Sequence, residues 1–309
     1  MNSCDFSVKS YSFDDTDGDF TLKNFDVGVT HDVESGMVEM IQEAQKVAQG
    51  LKMYASPWSP PAWMKNPTWD DPPGAAHAAS MTGSTTPTCL REGVGPDSQY
   101  AAAWALYFSK FISACKLHVE SSVLVGCFSS HLCRSRMIHL DKNQSIDFWG
   151  VTVQNEPEFP APWEACAYDK YAQGDFIQFH LGPTLRRDHP DVKLFVFDHN
   201  KDHAPEWAAY LMNMTASPYI DGTAYHWYAG GMDRLLDGAV GSANMHRLLA
   251  ELADRPDQII FGSEACHCPS TGYAGGDLAV GWARAERYAH TVLADLAAGS
   301  NAWVEWNLL

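Results

Sequence analysis

Short, almost wholly apolar segments recur along this chain. Longer stretches of helical character separate them, and this alternation constrains the fold more than any other feature. The apolar segments are LKMYAS (51–56), FWGVTV (148–153), KLFVFD (193–198), GTAYHW (222–227), QIIFGS (258–263) and NAWVEW (301–306). Each is too short for a core helix and rich in β-branched or aromatic residues, as expected of a strand buried on both faces. Between them, VESGMVEMIQEAQKVAQG places Met37, Met40, Ile41, Ala44, Val47 and Ala48 on one helical face, and Gly50 reads as its stop. DSQYAAAWALYFSKFISACKLH starts at Asp97, which predicts an N-cap there. EWAAYLMNM, NMHRLLAELAD and GWARAERYAHTVLADLAAG continue the pattern. Repeated βα units need a parallel sheet, and this number of them predicts an α/β chain forming most of a (β/α)8 barrel. A doubly wound sheet is the competing architecture, but no glycine-rich turn of the kind that opens such sheets follows any strand.

Composition narrows the function classes. The 309 residues are 46% hydrophobic, enough for a sizeable core, and no run of about 18 apolar residues predicts a membrane span. A formal charge of -17 repels phosphate backbones, so nucleic acid is not an expected partner. Eight scattered cysteines form no dense disulfide framework and leave the compartment open. The opening MNSCDFSVKS has no apolar core of signal-peptide type. Two segments break the rhythm. Residues 66–95 form a long Pro/Gly/Ser/Thr-rich loop after the first strand, read as part of a site rim. Residues 119–145 stand between a helix and a strand without clean periodicity.

In a (β/α)8 barrel, reactive groups sit at the C-terminal ends of the strands. Those ends carry Trp58; Asn155 and Glu156; Asp198, His199 and Asn200; His226, Trp227 and Tyr228; Glu264 and Cys266; and Glu305, Trp306 and Asn307. One glutamate at a strand end is ordinarily a solvated loop residue. Two, Glu156 and Glu264, each following an apolar strand across one barrel mouth, suit glycoside hydrolysis, in which one carboxyl protonates the leaving oxygen and the other attacks the anomeric carbon. Tryptophans are more often core than ligand platform, yet flat aromatic faces also suit the C–H side of a sugar ring. Asn155 could donate to a sugar hydroxyl. The Cys266–Cys268 spacing is too tight for the usual tetrahedral clamp, and DHN (198–200) reads as a polar strand end. No metal or cofactor is expected.

SCDFSVKSYSFDDT, ASPWSPPAWMK, FWGVTVQNEPE, YHWY and GSEAC, in that order from residue 3 onwards, resemble the glucosylceramidases of glycoside hydrolase family 30. The resemblance implies a retaining β-glucosidase in which Glu156 is the general acid/base and Glu264 the nucleophile. It also implies that Asp5 holds sugar hydroxyls, that Trp58 and Trp306 wall the glucose site, and that Tyr228 stands beside the nucleophile. Glu156 would hold its proton at working pH because an anionic Glu264 repels a second charge. The resemblance further implies glucosylceramide or a related β-glucoside as substrate, a possible lipid-presenting activator protein, and a lysosomal or secreted setting. A relative cutting β-1,6-glucan or xylan is one alternative, and an inactive sugar-binding fragment is another. Against the family pattern, the first strand, most of the second, the last helix and the accessory β-sandwich have no counterpart, so an incomplete barrel, incomplete at its N-terminus, is expected over 1–309. Residues 119–145 are expected to be an insertion or retained intron at the barrel bottom, away from the site.

Overall fold

The computed structural model describes residues 9–85, 88–116, 118–120, 141–143, 145–228, 239–266 and 278–306. The strands are β1 (Met53–Ala55), β2 (His118–Glu120), β3 (Asp141–Asn143), β4 (Phe148–Thr152), β5 (Lys193–Asn200), β6 (Gly222–His226), β7 (Ile259–Glu264) and β8 (Ala302–Trp303). The helices are α1 (Thr30–Glu34), α2 (Met37–Val47), α3 (Gln99–Lys116), α4 (Lys170–Phe176), α5 (Gly182–Asp188), α6 (Ala204–Leu211), α7 (Ala239–Glu251) and α8 (Leu278–Ala297).

One parallel sheet runs β1-β4-β5-β6-β7-β8, so chain order and spatial order agree across it, as in an incomplete (β/α)8 barrel. Its central strands β5, β6 and β7 are buried on both faces for the reason their composition implies, while the edge strands β1 and β8 are half-buried. Phe195, Ala224 and Phe261 point to the barrel interior with Tyr54 and Trp149 against them. Leu194, Val196, Val151 and Ile260 face the helical layer, where Trp104, Phe108, Phe176, Trp207 and Leu248 pack. Gly150 permits this interior: a Cβ there would lie 2.5 Å from the Phe195 ring.

Two local expectations fail. The stripe forecast for α2 is not its buried face: Val38 is buried, whereas Met40, Ala44 and Val47 are exposed. Gly36, at φ 81, separates α1 from α2; of the forecast stripe, which lies wholly beyond it, Ile41 packs against the core. The cap of α3 is Ser98 rather than Asp97, since the Ser98 hydroxyl accepts from the Ala101 amide at 3.2 Å.

Within 119–145, β2 and β3 pair antiparallel, outside the six-stranded sheet, and residues 121–140 lie outside the described residues. Just beyond, Ile146 is buried and its amide donates to the Cys115 carbonyl at 3.0 Å, tying β4 back to α3. On the opposite rim the loops after β1 and β4 are fastened together. Cys89 and Cys166 form a disulfide. The buried Lys65 ammonium donates to the carbonyls of Met81, Gly83 and Ala165. The described residues of the 66–95 loop are therefore fastened to the rim.

Candidate active site

The site is built on strand ends, and two backbone irregularities aim it. In β5, Phe197 and Asp198 both take positive φ (72 and 63), and the β5–β6 register shifts there. Such a bulge re-aims side chains. Phe197 turns outward onto Trp207, while its amide, lost to the ladder, donates to the Gln173 side chain at 2.9 Å. Asp198 turns into the barrel mouth, 1% exposed. A second shift, between Tyr225 and His226, brings His226 inward to meet it. Glu156 also has positive φ (45), and its amide donates to the Asp198 carbonyl at 2.9 Å. A non-glycine residue in this region costs on the order of 1–3 kcal/mol and persists only where its surroundings enforce it.

Asp198 is the hub of the polar core. It accepts from Ser56 at 2.6 Å, from Ser263, and from His226 Nε2 at 3.1 Å. Thr152 donates to Ser56 at 2.9 Å, and Tyr54 donates to the Ser263 carbonyl. This belt joins the ends of β1, β4, β5, β6 and β7. With Nε2 committed to Asp198, His226 presents Nδ1 to both glutamates: 3.2 Å to Glu156 Oε1 and 3.8 Å to Glu264 Oε1. The two oxygens are therefore no further apart than those distances laid end to end. That limit contains the roughly 5–5.5 Å spacing of retaining glycosidases and reaches only the lower edge of the roughly 6.5–9.5 Å of inverting ones. Tyr228 donates to Glu264 at 3.0 Å and lies 3.4 Å from Cys266 Sγ.

The protonation pattern reverses the expectation for Glu156. Burial pushes the Glu264 carboxyl up to about 7; His226 and Tyr228 pull it down, and the charges of Glu156 and Asp198 add to the rise. Burial would raise Glu156 too, but the hydrogen bond and charge of His226, with His199 beside it, hold it below the ordinary glutamate range. Burial opposes a charge on His226, yet Glu264, Asp198 and Glu156 keep it protonated well above the usual histidine range. Below about pH 7, with no sugar bound, this favours the proton on Glu264 and the charge on Glu156. Burial raises the one and the nearer histidine cation holds down the other, and no pattern of carboxylates alone would reveal it.

Of the sequence-predicted residues, Glu156, Glu264 and Tyr228 converge. Trp58 and Trp306 stack on one another, centroids 5.5 Å apart at 25°, Trp58 buried and Trp306 half-buried. Asn155 is buried behind Glu156, its amide donating to Pro57, with Oδ1 lacking a hydrogen-bond partner. Asp5 lies outside the described residues. Glu305 accepts from Tyr288 at 2.7 Å instead of joining the pair. Sequence reasoning read Asp198 as a polar strand end, gave His226 at its strand end no role, and passed over Ser56 and Ser263 altogether. Their one signal is that each interrupts or ends a strand that is otherwise apolar.

The chain matches the glycosyl hydrolase family 30 TIM-barrel domain over residues 1–123 and 132–309. It belongs to glycosyl hydrolase family 30. The lysosomal acid glucosylceramidase of Mus musculus is 28% identical to this family 30 chain, over 100% of the chain and 50% of that protein. An endo-1,6-beta-D-glucanase of Neurospora crassa is 30% identical over 75% of the chain and 39% of that protein. Among solved structures, SrfJ from Salmonella typhimurium superposes with a TM-score of 0.72 at 24% identity, covering 99% of this chain and 54% of that one; this likeness concerns the fold alone. The chain spans about half the length of the curated relatives it matches.

Proposed function

We propose that this chain carries the catalytic centre of a retaining β-glucosidase. The observation that carries the reading is the pair of glutamates, from the ends of β4 and β7, facing one histidine nitrogen. Glu264 attacks the anomeric carbon while Glu156 gives a proton to the departing oxygen, forming a glycosyl ester on Glu264 and free aglycone. Glu156, now a carboxylate, takes a proton from water, the water attacks the anomeric carbon, and the ester bond to Glu264 breaks. Before the first step the proton must leave Glu264 and reach Glu156. His226, protonated and with Nδ1 within 3.8 Å of both, is placed to give its Nδ1 proton to Glu156 and take the proton of Glu264 in its place. Trp58 and Trp306 offer the apolar face for the sugar, and Asn155 and Asp5 are proposed to hold its hydroxyls.

Glucosylceramide, yielding glucose and ceramide, is the substrate the motifs favour. The name of the mouse relative points the same way. A β-1,6-glucan is the second reading, and the Neurospora relative supports it at similar identity. A lysosomal or secreted setting is consistent with the Cys89–Cys166 disulfide, a bond that persists in oxidising compartments. A lipid-presenting protein is proposed as the partner that delivers the sphingolipid. No helix among the described residues is long and apolar enough to cross a membrane. The test is incubation with a 2-deoxy-2-fluoro β-glucoside followed by peptide mass spectrometry. Label on Glu264 is expected; label on another carboxylate overturns the assignment. Release of glucose from glucosylceramide, compared with release from a β-1,6-glucan, separates the two substrates.

A further inference from the structure

We propose that Glu156, His199 and His226 form a binding site for a divalent transition-metal ion of the zinc class, whose occupancy excludes sugar from the site. One oxygen of Glu156 and one ring nitrogen of each histidine lie within 4.8 Å of one another, and among the described residues no other group of three candidate ligands comes so close. The donors converge: Nδ1 of His226 is 3.2 Å, and Nδ1 of His199 3.9 Å, from the same Glu156 oxygen. His199 Nδ1 is buried and has no hydrogen-bond partner, so it is already desolvated for a ligand it does not hold.

Behind each ring stands a carboxylate. Asp198 takes the Nε2 proton of His226 at 3.1 Å, and Glu158 lies 4.0 Å from Nε2 of His199. For His226 this is the arrangement that orients a metal-binding imidazole, the ion taking the place of the Nδ1 proton, which is released as it binds; Glu158, bonded to His203 and Trp207, stands behind His199 without a hydrogen bond to it. Two imidazoles and one carboxylate are a donor set for Zn²⁺, Co²⁺, Ni²⁺ or Cu²⁺ rather than for Mg²⁺ or Ca²⁺. With bonds of about 2.0–2.1 Å, tetrahedral ligands sit roughly 3.4 Å apart. Glu156 and His226 already meet that spacing. His199 must close by about half an ångström on Glu156, and on His226 from a separation no greater than 4.8 Å. A fourth position remains for water or for Glu264, whose carboxylate would add negative charge. Binding follows from this geometry alone; the exclusion of substrate rests on the role proposed for Glu156, whose oxygen would then be bonded to the ion.

The experiment titrates ZnCl2 into the chelator-treated chain by calorimetry, and CoCl2 in parallel, reading the visible absorption of the bound cobalt. One ion per chain is expected, with MgCl2 giving no competition. His199→Ala and Glu156→Gln should each weaken binding at least about tenfold, while His77→Ala, remote in sequence and partnered by its neighbouring carbonyl, should leave it unchanged. Equal binding by the wild type and both ligand variants would place the ion elsewhere and overturn the site, as would no binding at all. Zinc should also inhibit aryl β-glucoside turnover competitively. Binding without inhibition overturns the exclusion while leaving the site. The fluoro-sugar labelling of Glu264, done without metal, judges the catalytic reading separately.

Discussion

Replacing His226 by Gln removes a cation facing Asp198, a carboxylate that is 1% exposed. Asp198 would keep the hydroxyls of Ser56 and Ser263 but lose its charged partner at 3.1 Å. Removing one partner of a buried pair costs about 3–5 kcal/mol, because the remaining charge stays desolvated. For 309 residues at about 2.1 cal/mol/K each, that loss lowers Tm by roughly 5–8 °C. The cost belongs to the orphaned charge, so Asp198→Asn added to His226→Gln should relieve part of it, with a coupling of about 2–3 kcal/mol, the upper end for contacting residues. The gap between wild type and His226→Gln should also depend on pH. Burial is outweighed at Asp198, whose folded pKa lies below 3.8; its share is present above that value and is lost as the pH falls through the folded pKa. The folded pKa of His226 lies well above 6.5; its share is complete below 6.5 and is lost as the pH rises through the folded pKa. The gap is therefore widest between about 3.8 and 6.5. Thermal or urea unfolding of the four proteins at several pH values measures all of this. Additivity within about 0.5 kcal/mol, or a gap that does not vary with pH, would refute the reasoning.

Glu156→Ala should slow substrates with poor leaving groups far more than activated aryl glucosides, which need little protonation, and azide should restore part of the activated turnover as β-glucosyl azide; steady-state rates on paired substrates check it, and equal losses without rescue contradict the role. Tyr228→Phe removes a bond to Glu264 that favours its charged form, so the Glu264 pKa should rise above about 7 and the acid limb of kcat/KM should move to higher pH. Near neutrality this should lower kcat/KM roughly 10- to 100-fold, the loss of one hydrogen bond to a charged group at about 1.5–3 kcal/mol; an unmoved limb contradicts it. Deleting 119–145 and joining His118 to Ile146 should leave fluoro-sugar labelling intact and raise soluble yield, since SVLVGCF is an apolar run of aggregation-prone character. Loss of folding on deletion would make the segment a structural element.

The sheet was legible in the sequence because a strand buried on both faces has little freedom in composition. FWGVTV and QIIFGS locate β4 and β7 to within a residue or so. The glutamates were legible for the same reason, as charges in which apolar runs end. Asp198 and His226 were not. DHN has the same letters whether it solvates a loop or fills a barrel, and what decides is a pair of positive φ values at Phe197 and Asp198, where no glycine marks the turn. The reversed proton balance was hidden too, because it depends on a histidine nitrogen lying between two carboxylates from strands far apart in sequence. The α2 face was misread because periodicity finds the apolar side of a helix and not which of its residues meets the core: Ile41 does, whereas Met40 and Val47 do not.

Cys89 and Cys166 lie 77 residues apart, and α3, β2, β3 and β4 lie between them. In covalent terms that stretch is a ring. A protease cutting once between β2 and β3 would open the ring without dividing the molecule. The piece bearing Ser56 and Trp58 would stay bonded to the piece bearing Glu156, Asp198, His226 and Glu264. Such a protein would migrate as one species without reductant and as two with it. Its site would then be shared between two polypeptides, with the rim disulfide as their covalent link.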